Sequence, residues 1–465
     1  MKQGPLQFEY IVIGGGSAGY AAARTAREFT ESVAIVDGAS ELGGLCILRG
    51  CMPSKTLIYT TELLHHAKLG RDFGLRIPEA TPDLPAIIAR KNRIIAEFAD
   101  YRRSQLESSR FSLFRQRAKF IAEDVIELGD GTQLQSPRFL ISTGSQPAFP
   151  PIPGLSAEGI WTSDDILSIS KLPPSVIVLG GGIVACELSQ YLARLGTTVT
   201  QIQRSERILK DASPEASEVV QNAFRKEGIH LYTNTKLIEI SKSESGFDVT
   251  FEHAADRLEV SATNLFNALG RRPATDSLGL DLAGVETSPS GHLRVDGFLA
   301  TTNPRIYAAG DCAGPHEIVH IAIQQGEIAA RHAFGKPTQP ISYHDLMGVT
   351  FTDPQVASVG LSTEDLAAHP SSVIEASYPF DDHGKSILME AKQGFVRCFA
   401  ERSSGTLLRA ECVGKDAGEL IHALSFPVSV RADVRQVMRS PWYHPTLAEI
   451  WSYPLEELAE LVAES

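Results

Sequence analysis

Two places in this chain, about 165 positions apart, repeat one local grammar: a short apolar run, a glycine-rich turn, then a helical stretch. In the first, Tyr10-Ile11-Val12-Ile13 leads into Gly14 to Gly19, a helical segment from Tyr20 to Phe29, and a second apolar run at Val33 to Val36. In the second, Val176 to Leu179 leads into Gly180-Gly181-Gly182, a helix from Ile183 to Leu195, and a strand from Thr198 to Gln201. Each is a βαβ unit, which demands a parallel sheet. Glycines in such a turn let the backbone approach a pyrophosphate, and the helix N-terminus offers amide donors with a partial positive charge. Gly14, Gly16, Ser17 and Gly19 form the first fingerprint, and Asp37, ending the second strand, is placed to accept hydrogen bonds from a ribose. A lone glycine loop is also simply a tight turn; strand, helix and acid together point to a nucleotide. The chain is therefore expected to hold two separate dinucleotide-binding domains.

Composition removes several classes of function. A chain of 465 residues exceeds one compact core, so three or four domains are expected. Fifty-six acidic against 43 basic residues give −13, which argues against nucleic acid or an anionic membrane surface as partner. No apolar run of about eighteen residues is present, so no membrane span is expected. The start, MKQGPLQFEYIVIGGG, lacks the cationic and apolar regions of a signal peptide. Six cysteines in so long a chain do not make a secreted disulfide framework. A cytoplasmic protein is expected, in which a close cysteine pair is catalytic or metal-binding. Leu57 to Leu69 and Ile87 to Glu107 read as helices, Gln146 to Gly154 and Leu172-Pro173-Pro174 as linkers. Ile306 to Ala309 reads as a strand followed by a helix from Glu317 to Phe334, and an α+β texture begins near Tyr343.

One close pair exists, in Gly43-Gly44-Leu45-Cys46-Ile47-Leu48-Arg49-Gly50-Cys51-Met52-Pro53-Ser54-Lys55. Cysteines five apart on a regular helix are separated by roughly 7.5 Å along its axis. A disulfide wants Cα atoms roughly 4.4–6.8 Å apart, so the turn must be distorted, and Gly50 permits that. The competing readings are two unrelated buried thiols or half a zinc site. Zinc needs further Cys or His ligands at short spacing, and none lies near, so no metal is expected.

These residues carry a resemblance. Gly-Gly-x-Cys-x4-Cys-x-Pro-Ser-Lys after a glycine loop is similar to the class I pyridine nucleotide–disulfide oxidoreductases, a family that includes lipoamide dehydrogenase, glutathione reductase and mercuric reductase. Further motifs follow in the family's order: Ile141 to Pro147, Thr302 through Tyr307-Ala308-Ala309-Gly310-Asp311, and His444-Pro445-Thr446-Leu447-Ala448-Glu449. The resemblance implies an α/β fold with two doubly wound Rossmann-like nucleotide-binding domains, for FAD and NAD(P), and a C-terminal α+β dimerisation domain. It divides the chain into 1–152 (FAD, first part), 153–273 (NAD(P)), 274–342 (FAD and central, second part) and 343–465 (dimerisation). It implies FAD held by Gly14, Gly16, Ser17, Gly19, Asp37, Gly44, Lys55, Ala118, Thr143, Gly144, Asp311 and Ala322. Cys46 becomes the interchange thiol that attacks substrate, and Cys51 the charge-transfer thiolate beside the flavin. Lys55 would pair with Glu187 near the flavin, although alone each is more simply a solvated helix charge. His444 becomes the base for the interchange thiol with Glu449 orienting it, supplied by the other subunit of an obligate homodimer. Thr446 and Glu449 also fit a helix capping box, which need not exclude that pairing.

For the nicotinamide nucleotide the resemblance implies Gly180, Gly182, Ile183, Glu187 and Gly270. Family members that bind NAD carry an acid after the second strand of that unit; here stand Gln203-Arg204-Ser205, then Arg207 and Lys210. Arg204 and Lys210 suit a 2′-phosphate, so NADPH is favoured over NADH; the bland alternative is a solvated basic turn. Gly19-Tyr20, Leu63 to Ala67 and His320-Ile321-Ala322 are similar to lipoamide dehydrogenase, whereas Arg24 and NADPH tilt toward a reductase of an anionic thiol compound. The tail, Glu456 to Ser465, contains no cysteine, which counts against mercuric reductase and large thioredoxin reductases. Cys186, Cys312, Cys398 and Cys412 are expected to be buried structural thiols. The sequence thus predicts a dihydrolipoyl dehydrogenase-like enzyme acting on a small disulfide or dithiol. The alternatives are an NADPH-dependent reductase of a glutathione-type or mercuric substrate, a flavin transhydrogenase, and a redox-sensing flavoprotein. The last two fit poorly with the retained cysteine pair and His444.

Overall fold

A computed structural model describes residues 4–368 and 370–463; Met1–Gln3, His369, Glu464 and Ser465 lie outside it, and with them the first residues of the leader reading and the last two of the cysteine-free tail. Two compact units emerge: Met1–Leu57, Pro85–Ala148 and Gly270–Ser342 form the first, and Ile58–Leu84, Phe149–Leu269 and Tyr343–Ser465 the second.

The first unit is built on a five-stranded parallel sheet in the order Ile306–Ala308, Phe139–Ile141, Tyr10–Ile13, Val33–Val36, Ser112–Phe114. Its central strands are apolar without alternation because both faces are covered, one by helices and the other chiefly by a second, smaller sheet, and Tyr10 to Ile13 are all buried. The helix after the first glycine loop runs Ser17–Ala26, three residues earlier at both ends than the apolar pattern suggests, because the glycine turn itself supplies its cap. Its alanine face meets the helix Val319–Ala333, where a Cβ on Gly326 would stand 2.3 Å from the carbonyl oxygen of Ala18. Only glycine allows so close an approach. A smaller mixed sheet, Leu6–Gln7, Gln133–Gln135, Val125–Leu128 and Ala118–Ala122, joins the same core through Phe120 and Ile126.

The second unit contains a four-stranded parallel sheet, His230–Tyr232, Thr198–Ile202, Ser175–Leu179 and Asn264–Asn267, with a three-stranded antiparallel sheet over Thr235–Ala262. Its C-terminal part is a five-stranded antiparallel sheet ordered Met347–Thr350, Gln355–Gly360, Leu407–Gly414, Phe395–Glu401, Val373–Pro379. Helices pack on that sheet around Trp451, which is fully buried and donates its indole N–H to the Leu420 carbonyl at 3.0 Å. The α/β class, with two Rossmann-like sheets and an α+β C-terminal domain, is therefore the observed fold. Among the described residues no helix is long and apolar enough to cross a membrane.

Candidate active site

The first glycine loop is a cradle shaped by what a side chain would hit. Gly14 adopts φ +103°, and a Cβ there would stand 2.4 Å from the Ser142 carbonyl oxygen. Gly44 comes in from the cysteine segment, where a Cβ would lie 2.8 Å from the Cα of Gly16. In front of Gly16 nothing else approaches within 4 Å, and this residue caps the helix Ser17–Ala26 without any side-chain hydrogen bond. The first amides of the helix therefore open onto glycine-lined space, as a diphosphate requires. Asp37 is buried; one carboxylate oxygen accepts the Gly15 N–H and the other the Ala39 N–H, each at 2.9 Å. These residues fit the diphosphate and ribose of a dinucleotide such as FAD.

The other residues assigned to FAD lie in the same unit. Gly144 takes φ +70° with nothing within 4 Å of a Cβ, and its neighbour Thr143 is half-buried. Asp311 accepts the Ser145 hydroxyl at 2.6 Å, and Arg271 donates to that hydroxyl at 2.8 Å. Ala322 is buried in the helix Val319–Ala333, and Ala118 opens the strand Ala118–Ala122.

The cysteine segment is two helices, Gly44–Arg49 and Cys51–Leu69, broken at Gly50. A Cβ on Gly50 would lie 3.1 Å from the Leu45 carbonyl oxygen and 3.3 Å from the Cα of Cys46, so the preceding turn folds back closely over it. Cys46 and Cys51 are half-buried thiols, not joined in a disulfide, and hydrogen-bonded to each other. That hydrogen bond, with burial, pushes the Cys46 thiol well above its ordinary range, while the Cys51 backbone N–H and the Lys55 ammonium act in the opposite direction. Arg102 was not anticipated from the sequence. It lies 4.1 Å from the centre of the Tyr20 ring and near enough to Cys46 for their charges to interact. Arg24, the cue for an anionic substrate, is instead engaged with Glu327 at 2.6 Å.

In the second unit Gly180 has φ +119° and would clash with the Ala268 carbonyl oxygen if it bore a Cβ. Gly182 caps the helix Ile183–Arg194 without a side-chain hydrogen bond and has nothing within 4 Å, while Ile183 is half exposed. The open helix terminus fits a second dinucleotide. The Gln203 side chain packs on Gly181, where a Cβ would sit 2.8 Å from its amide carbon. Arg204 and Lys210 are exposed; Lys210 pairs with Asp211 at 3.1 Å, and Arg207 donates to the Lys210 carbonyl at 3.0 Å. Glu187 is buried and accepts the Phe351 N–H at 2.9 Å. Lys55 belongs to the first unit and Glu187 to the second, whereas Gly270 falls in the first, its carbonyl accepting the Ala148 N–H at 3.0 Å.

His444 Nδ1 lies 2.9 Å and 3.1 Å from the two carboxylate oxygens of Glu449. The histidine side chain is 78% exposed and the glutamate 8%, so a buried carboxylate presents an outward imidazole. The capping box does not form. Thr446 turns its hydroxyl back to the Tyr443 carbonyl at 2.8 Å, and Leu447–Trp451 is a 3-10 turn, because Glu449 is committed to imidazole. Behind it stands His383, fully buried, with Nε2 3.4 Å from Glu449. Its sequence setting, Phe380-Asp381-Asp382-His383-Gly384-Lys385, carries no motif that would have marked it. Among the described residues no cluster suits a metal ion.

Comparison with known proteins agrees with this geometry. Residues 8–326 match the family model described as pyridine nucleotide-disulphide oxidoreductase, and residues 346–453 match that family's dimerisation domain. The chain is 33% identical over 448 residues to a mercuric reductase of Bacillus cereus, covering 96% of this chain and 71% of that protein. It is 32% identical over 447 residues to a dihydrolipoyl dehydrogenase of Thermus scotoductus, covering 95% of each. The solved structure of LpdA from Mycobacterium tuberculosis superposes with a TM-score of 0.87 at 27% identity, over 97% of this chain and 99% of that one. Glycine cradles, cysteine pair, fold and dimerisation domain converge, and the chain belongs to the class I pyridine nucleotide–disulfide oxidoreductases.

Proposed function

We propose that this enzyme passes two electrons between a nicotinamide nucleotide, NADPH in preference to NADH, and a small disulfide or dithiol of the lipoamide kind. It does so through Cys46 and Cys51, on a homodimer in which each pair is served by the partner subunit's His444. The observation that carries this reading is the Cys46–Cys51 thiol pair at the Gly50 break, on a helix that begins at Gly44 against Gly16 of the first cradle. Within it, 1–152 and 274–342 are the FAD-binding segments, 153–273 binds the nucleotide and 343–465 dimerises.

FAD, when bound, supplies a carrier that takes two electrons from the nucleotide and returns them to sulfur. The chain's own residues do the rest. Cys46, held in its thiol form by Cys51 and by burial, needs a base. Glu449 fixes the proton of His444 on Nδ1, which leaves Nε2 with the lone pair that accepts it. The Cys46 thiolate attacks one sulfur of the substrate; the S–S bond breaks, and the leaving thiolate takes the proton held on His444. Cys51 then attacks Cys46, closing the enzyme's disulfide and releasing the second substrate thiol. Lys55 is assigned to the flavin side of the pair.

The substrate reading has one rival. Mercuric reductases stand beside dihydrolipoyl dehydrogenases among the relatives, but Cys186, Cys312, Cys398 and Cys412 are all fully buried and offer no second exposed pair. The test is turnover of lipoamide, glutathione disulfide and coenzyme A disulfide, each with NADH and NADPH, in wild type and Cys46→Ser. Lipoamide turnover that Cys46→Ser abolishes supports the reading. Reduction of the flavin by the nucleotide with no disulfide consumed would overturn it.

A further inference from the structure

We propose that His383 is a positioning residue for the His444–Glu449 pair, a second imidazole that holds the Glu449 carboxylate from its buried side. The inference rests on the disulfide-reductase reading above. His383 sits between the 3-10 turn Phe380–Asp382 and the short helix Gly384–Leu388, with the Tyr453 ring nearly perpendicular to it at 6.2 Å. It is fully buried, so solvent cannot take its place beside Glu449. Nδ1 lies 2.8 Å from the Ser386 hydroxyl, and Nε2, which forms no hydrogen bond in this resting arrangement, faces Glu449 Oε1 at 3.4 Å.

Chemistry chooses the tautomer. A serine hydroxyl can donate to Nδ1, which leaves the proton on Nε2, directed at a carboxylate. The opposite tautomer would set a lone pair against a carboxylate oxygen in a buried place, an uncompensated repulsion. Burial holds the ring below the ordinary imidazole range while Glu449 pulls the other way, so it acts as a neutral donor. Oε1 of Glu449 is then approached from two sides, by His444 at 2.9 Å and by His383 at 3.4 Å. Donors on both sides satisfy a buried carboxylate and stop it rotating. His444 is mostly exposed and has little packing of its own, so its orientation is inherited from Glu449 and hence from His383. At 3.4 Å the contact is an ion-pair approach and not yet a formed hydrogen bond; such contacts in a resting site tighten when substrate binds.

The experiment measures kcat and KM with whichever of lipoamide, glutathione disulfide and coenzyme A disulfide the wild-type dimer reduces fastest. It compares His383→Leu, His383→Gln, Ser386→Ala and His444→Ala, with FAD content and dimer mass confirming each holoenzyme. His383→Leu is expected to lower kcat roughly tenfold with KM nearly unchanged. His383→Gln, whose amide N–H reaches where Nε2 stands, restores most of it, and Ser386→Ala lies between. Reduction of the flavin by nucleotide, followed by stopped flow, is unchanged in the His383 and Ser386 variants. Wild-type kcat in His383→Leu overturns the inference, as does a loss that glutamine fails to restore. Should the leucine variant not fold, wild-type kcat in Ser386→Ala overturns it. Normal turnover in His444→Ala sinks the dyad itself; impaired His444→Ala beside normal His383→Leu sinks only the role of His383.

Discussion

Arg194 and Asp353 meet at 2.8 Å in the second unit, and the same guanidinium lies 2.7 Å from Glu227. The arginine side chain is only 6% exposed, so this is an ion triad and not a surface pair. Burial would raise the Asp353 carboxyl, but Arg194 more than offsets it and holds the group below the ordinary carboxylate range. Its contribution to stability is thus present above the unfolded value near 3.9 and is lost as pH falls through the folded one. Asp353→Asn is expected to cost roughly 1.5–3 kcal/mol at pH 7. The urea midpoints of variant and wild type should converge below about pH 4. A gap that is the same at pH 7 and pH 3.5 would show that the charge is irrelevant.

Gly16 and Gly182 separate folding from cofactor binding. Neither would meet the protein if it bore a Cβ, beyond the Gly44 Cα at 3.9 Å from Gly16. Gly16→Ala is expected to fold yet lose FAD, and Gly182→Ala to keep FAD while raising KM for the nucleotide about tenfold or more. Absorbance at the flavin band and nucleotide kinetics check both. Full FAD occupancy in Gly16→Ala would remove the first cradle from the binding site.

At Gly50 an added Cβ would press on Leu45 and Cys46 from within the break. Gly50→Ala should therefore keep FAD but slow closure of the Cys46–Cys51 disulfide. The fraction of the two thiols recovered as disulfide after mild oxidation, with turnover expected to fall roughly tenfold, reports this directly. Unchanged oxidation would mean that the turn has room to spare.

Reactivity should divide the six cysteines. Burial pushes Cys186 up to about 12 and Cys312 to about 11, and it raises Cys398 and Cys412 further. Iodoacetamide at pH 8 is expected to label Cys46 and Cys51, the two thiols that solvent reaches, in the reduced native enzyme and to spare the other four, which are fully buried. Mass spectrometry of the digest decides, and fast labelling of any buried thiol counts against the fold described.

Arg204 follows Gln203 on an exposed turn, and Lys210 is already shared with Asp211. If Arg204 clamps a 2′-phosphate, Arg204→Ala should lower kcat/KM for NADPH about ten- to a hundredfold and spare NADH. Gln203→Glu should hurt NADPH and improve NADH. An equal loss with both nucleotides would make the arginine structural.

Much of this was legible because it is local. Apolar runs bounded by glycines placed Tyr10–Ile13 and Val33–Val36 to the residue, and the spacing of Cys46 and Cys51 required the break that occurs at Gly50. What escaped is set by chain-distant packing. The Thr446–Glu449 spacing satisfies a capping box, but His444 takes the carboxylate instead, and the buried His383 that faces it comes from the Phe380–Leu388 segment, whose approach the sequence does not mark. Arg102 looked like any charge on a long helix until Tyr20 came under it. Arg24 suggested a substrate contact by position, yet Glu327, from a helix near the end of the first unit, holds it.

The first sheet also sets a timetable for biosynthesis. Its edge strand Ile306–Ala308 and the helix Val319–Ala333, locked against Ala18 through Gly326, leave the ribosome only after the entire parallel sheet of the second unit, Ser175 to Asn267, has been made. Until then Phe139–Ile141 has an unpaired edge and the alanine face of Ser17–Ala26 lies bare, the surfaces on which nascent chains aggregate. The glycine loop assigned to FAD is among the first segments synthesised and among the last to be completed. Cofactor capture thus falls after translation has passed Ala333, and a chain interrupted earlier emerges as a substrate for chaperones and proteases.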